Sequence, residues 1–96
     1  MIEVIYHISI LIFSMQSGMM EEVDIYWMDG KHKWCDSFVA CYLPDDNIIF
    51  INAKKMYARD SCGRNPLTHE ILHHIYGGYD EVHDVCNLKI YKGMLG

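Results

Sequence analysis

Thr68-His69-Glu70-Ile71-Leu72-His73-His74 is the stretch from which the rest of the chain is read. It contains an H-E-x-x-H arrangement. On a helix, positions i and i+4 lie about 40° apart at about 100° per residue, so the imidazoles of His69 and His73 can reach one zinc ion. Glu70 falls beside such an ion rather than on it, where a carboxylate can take a proton from an attacking water as the general base of a hydrolysis. The spacing carries a reaction as well as a ligand set.

The flanking residues agree with a helix over residues 66–76. Leu67, Ile71, Leu72 and Ile75 form one apolar arc centred opposite the two histidines. Asn65-Pro66 supplies a cap and a first-turn proline, and Gly77-Gly78 ends the helix. Such a helix buries one side and presents His, Glu and His on the other.

The chain has 96 residues, enough for a single domain over residues 1–96 with one core. An apolar fraction of 51% with seven Tyr and two Trp argues for a globular chain rather than disorder. The net charge is −5 and the basic residues form no long run, which speaks against nucleic-acid binding. Cys35, Cys41, Cys62 and Cys86 form no CxxC pair, so a separate structural zinc knuckle is not expected. Free thiols and a cytoplasmic setting are expected, because no convincing export signal precedes them. Cys35 and Cys41 would lie too far apart to bridge within one continuous strand.

Residues 1–15 are strongly apolar, but the run is too short to span a bilayer, so no stable membrane insertion is expected. Apolar residues at 4, 5, 8, 11, 12 and 15 fit a helical stripe, and a helix backing the sheet is predicted there, with a break at Gly18. From residue 22 the pattern changes to strands. Residues 23–28 read as a strand that meets Asp29-Gly30, a two-residue hairpin signal, and residues 33–43 as its partner. Pro44-Asp45-Asp46-Asn47 is the next turn, and Ile48-Ile49-Phe50-Ile51 is a continuous apolar run suited to a central strand covered on both faces. The expected fold is therefore α+β: a three-stranded meander with helices against it. A polar connection over residues 53–64, with a helical turn near its start, leads to the H-E-x-x-H helix. A last helix is predicted from Asp80 to about Lys92, ended by Gly93.

A catalytic zinc needs a third protein ligand if its fourth position is to hold water. Asp80, Glu81, His83 and Asp84 compete. In a helix over residues 80–92, Glu81 lies inside the apolar arc of Val82, Val85 and Leu88, where a carboxylate is costly unless paired or bound to metal. Glu81 therefore leads and His83, on the margin of that arc, is the alternative. Asp84 is suited to holding a ligand histidine through its free ring nitrogen. His74, Tyr76, Tyr79 and His83 are candidate donors to a developing oxyanion.

The layout of helix, small sheet, His69-Glu70-Ile71-Leu72-His73 helix and a glutamate-bearing helix resembles the minigluzincins, minimal soluble zincin metallopeptidases. The resemblance covers most of the chain by layout and only the H-E-x-x-H motif by specific residues. It implies His69, His73 and Glu81 as zinc ligands, Glu70 as base, a peptide or protein substrate bound extended along the strand containing Phe38 to Leu43, and latency imposed by a terminal segment. SprT-like proteases, which the motif also resembles, place a later histidine as third ligand, a role that would suit His83. Gly78-Tyr79-Asp80 resembles part of the H-G-x-x-H-x-x-G-Y-D-H signature of bacterial rRNA-maturation endoribonucleases, which implies a metal-dependent RNA cleavage as a competing activity. A zinc-stabilised module without turnover is the third alternative.

Overall fold

The computed structural model describes residues 3–96. Its core is a four-stranded mixed sheet in the order β1-β2-β4-β3, with α1 packed on one face. Strand β1 (Val4–Ser14) and strand β2 (Met19–Met28) form a long antiparallel hairpin. Strand β3 (Ala40–Leu43) is an edge strand, antiparallel to β4 (Ile48–Asn52), and β4 runs parallel to β2.

The apolar segment predicted as a backing helix is instead β1, and its first two residues, Met1 and Ile2, lie outside the described residues. Two periodicities compete in this segment, and a pairing partner decides between them. In strand register Ile8, Ile10 and Ile12 point to one face beside Val23 and Ile25 of β2, and Leu11 on the other face stays exposed. Gly18, with φ +72°, closes the turn between the two strands.

The strands do not form the expected meander either. Asp29-Gly30 does not join neighbouring strands, because β4 lies between β2 and β3. The continuous apolar run of β4 explains the order: Ile49 and Ile51 are buried under α1, and Phe50 is buried on the opposite face. Residues 31–39 form a loop rather than the first half of β3, and it covers that opposite face, with the His32 ring stacked on Phe50 at 3.9 Å. The turn at residues 44–47 stands as expected, with Asn47 at φ 52°.

The four cysteines pair as Cys35–Cys41 and Cys62–Cys86, so the expectation of free thiols does not hold. Cys35 precedes β3 in a folded-back loop, which brings its Cα within 5.5 Å of that of Cys41; the strand that would have kept them apart is not continuous. No helix among the described residues is long and apolar enough to cross a membrane.

Helix α1 (Pro66–Tyr76) has the predicted bounds. Asn65 caps it by accepting the Thr68 N–H at 2.8 Å, and Gly77, with φ +76°, ends it while donating to the His73 carbonyl at 2.9 Å. Ile71 and Ile75 join Ile12, Val23, Ile25, Ile49 and Ile51 in the core. Helix α2 (Tyr79–Asp84) is one short turn and a half, not the long helix to Lys92. Cys86 is bridged back to Cys62, and the chain beyond returns through a 3-10 turn (Lys92–Met94) to β1, where Leu95 bridges Ile12. The apolar Ile90 and Met94 pack on the core without being helical.

Candidate metal centre

Helix α1 presents His69, Glu70 and His73 on the side away from Leu72 and Ile75, and the turn at Gly77-Gly78 returns α2 so that His83 faces them. His73 Nε2 lies 3.2 Å from His69 Nε2 and 3.1 Å from His83 Nε2. One donor atom from each of the three rings falls within 4.8 Å of the others. One ring proton on His73 satisfies only one of these two contacts, so as bare imidazoles the cluster is frustrated. Nitrogens bound to one tetrahedral zinc at ~2.0–2.1 Å are separated by roughly 3.3 Å, close to the spacing here. The donor set therefore fits a divalent ion.

Glu81, the leading third ligand by helical angle, is exposed and outside this cluster. The angle placed it in an apolar arc that needed a helix to residue 92, whereas only Val82 of α2 is buried. Asp80 and Asp84 are exposed too. The partner expected of Asp84 is supplied by Asp60, whose Oδ2 lies 2.6 Å from His69 Nδ1. Asp60 was not singled out by the sequence; its signal was an Asp at the head of a short Cys-Gly-Arg turn, where its side chain can accept local backbone N–H groups.

Asp60 is embedded in donors. Its Oδ1 accepts the N–H of Cys62 at 2.8 Å and of Arg64 at 2.9 Å, and its Oδ2 pairs with Arg64 Nε at 2.7 Å. Burial pushes this carboxyl up, but the bonds from His69, Arg64 and Cys62 together outweigh it and hold the group far below the usual carboxylate range. Burial, followed by the neighbouring His69, lowers His73 to about 4, and burial lowers His83. Both rings are thus neutral near pH 7, the state a metal ligand requires.

Glu70 is only 7% exposed, and burial, with Asp60 nearby, pushes it up to about 8. Its carboxyl belongs to the wall of a cavity of about 660 Å³ that also contains His69, His73, His83, Tyr79 and the edge of β3 from Ala40 to Leu43. The other candidate donors divide clearly. His74 is buried, with Tyr42 Oη 2.8 Å from Nδ1 and the Ile12 carbonyl 3.1 Å from Nε2, so it ties α1 to the sheet. Tyr76 donates to the Lys89 carbonyl at 2.9 Å. Tyr79 is 69% exposed and its ring stacks on His83 at 3.9 Å.

A scan against protein-family models and searches of curated proteins and of solved structures found no match for this chain.

Proposed function

We propose that the chain is a zinc-dependent peptidase in which His69, His73 and His83 hold the ion and Glu70 is the general base. The observation that carries this reading is the convergence of three histidines, with His73 Nε2 3.1–3.2 Å from the Nε2 atoms of the other two, beside a buried glutamate in an open cleft. Three histidines with a position left for water are a catalytic rather than a structural zinc set. Bound there, zinc would supply Lewis acidity, making a water acidic and polarising a scissile carbonyl.

The chain's own residues perform the rest. Glu70 accepts the proton of the attacking water and returns it to the leaving amine. A cation beside it favours its charged form and so opposes the effect of burial. Tyr79 borders the cleft with its ring stacked on His83, and its hydroxyl is the donor proposed for the developing oxyanion. β3 pairs with β4 along one side only, so its other edge offers backbone groups to an extended peptide, the mode by which a strand is added to a sheet. The charge of −5, and a glutamate where the endoribonuclease signature has glycine, favour a peptide over RNA.

The test is cleavage of an unfolded protein by the zinc-loaded chain. Wild type should cleave, lose activity to a chelator and regain it with zinc, while Glu70→Gln should bind zinc equally and fall by about 10²–10⁴-fold in kcat. Equal zinc binding with no cleavage by either protein would establish the non-catalytic module instead.

A further inference from the structure

We infer that the loop over residues 60–64 is the device that positions the metal ligands, holding His69 through Asp60 and the turn that bears His83 through its other contacts. The inference rests on the metal centre proposed above. Asp60 folds the loop around itself: its Oδ1 takes the N–H groups of Cys62 and Arg64, its carbonyl takes the Gly63 N–H at 2.9 Å, and its own N–H donates to the Arg64 carbonyl at 3.1 Å. Gly63, at φ +79°, allows the closure. With Oδ1 so engaged, Oδ2 is left aimed at His69 Nδ1 at 2.6 Å.

That contact sets the tautomer. A neutral imidazole carries one ring proton, and a carboxylate at Nδ1 draws it there, so the lone pair is at Nε2, on the side of His73 and His83. Arg64 Nε donates to the same Oδ2 at 2.7 Å and so fixes the carboxylate against the ring.

The same loop grips the segment that carries His83 at three points, two on α2 and one just beyond it. Arg64 Nη2 donates to the Val82 carbonyl, Ser61 Oγ donates to the His83 carbonyl at 3.4 Å, and Cys62 is bridged to Cys86. These contacts fall on His83, on its neighbour Val82 and on Cys86 three residues further on. α2 has six residues and one buried side chain, too little to hold a helix in place by itself. The loop thus does for His83 what α1 does for His69 and His73.

Two variants separate this from a merely structural role: Asp60→Asn, and Cys62→Ser with Cys86→Ser. Metal affinity is read by competition between zinc and a chromophoric chelator, and the His69 tautomer by ¹⁵N NMR of the metal-free protein. Wild type should show His69 protonated at Nδ1. Asp60→Asn should lose that preference and bind zinc about 10–100-fold more weakly, with unchanged far-UV circular dichroism. The double-serine variant should keep the His69 tautomer and still lose affinity, because only its His83 side is released. Zinc affinity within about twofold of wild type in both variants, or a wild-type His69 protonated at Nε2, overturns the inference and leaves the metal centre standing. A wild-type protein that takes up no zinc overturns both. Should Asp60→Asn fail to fold, the wild-type tautomer and the double-serine variant decide.

Discussion

At the scale of single residues, Glu70 has a consequence for stability that is independent of any substrate. In the metal-free protein its carboxyl is held near 8, against an ordinary value near 4.5, so above pH 4.5 the folded state keeps a proton that the unfolded chain has lost. Stability then falls as pH rises toward 8. His32, His73, His74 and His83 are lowered from 6.5, and each acts in the opposite sense below that pH, where the unfolded chain binds the extra proton. The metal-free protein should therefore be most stable near pH 6.5 and weaken from there to pH 8, and Glu70→Gln should abolish the decline; urea unfolding at a series of pH values checks it. Tyr79→Phe should lower kcat toward unfolded protein on the order of 10²-fold with little change in KM, as loss of an oxyanion donor requires. What the sequence made legible at this scale was His69, Glu70 and His73, because helical spacing alone puts them together. Asp60 was not legible, since its contact with His69 depends on a loop folding back on α1. By helical angle Glu81 outranked His83 because the wheel was continued beyond Asp84, where the helix ends.

Among the elements, α1 was read correctly to its ends because every signal agreed: cap, proline, apolar arc and terminal glycine. Asn65→Ala should remove the cap and cost about 1 kcal/mol in urea unfolding of the metal-free protein. Gly77→Ala should cost at least as much, because Gly77 has φ +76°, which L side chains rarely adopt, and an added Cβ would push the Gln16 side chain aside. That turn sets the direction of α2, so the same variant should also weaken zinc binding. β1 was misread for a different reason. Its apolar positions satisfy both periods, and the strand prevails through pairing with β2 and a shared face with α1, neither of which is local information. β4 was legible as a central strand from its unbroken apolar run, but its parallel pairing with β2, which displaces the Asp29-Gly30 hairpin, was not.

On the scale of the whole molecule, the two disulfides staple the loops that flank the sheet and the histidine cluster, a device suited to a chain with a small core. The folded protein should present no thiol to an alkylating reagent until it is reduced, which intact mass after alkylation reads directly. Disulfides persist in oxidising compartments, so the thiol argument for a cytoplasmic setting falls with the pairing. The central claim is that segments distant in sequence, α1 and the turn after Gly78, are folded together to hold one ion through three histidines. Native mass spectrometry of the zinc-treated chain tests it most directly. The account predicts one zinc per molecule in wild type and in Glu81→Ala, and none retained by His83→Ala at the same chelator concentration. Retention by His83→Ala with loss by Glu81→Ala, or a wild-type chain that carries no zinc, would contradict it.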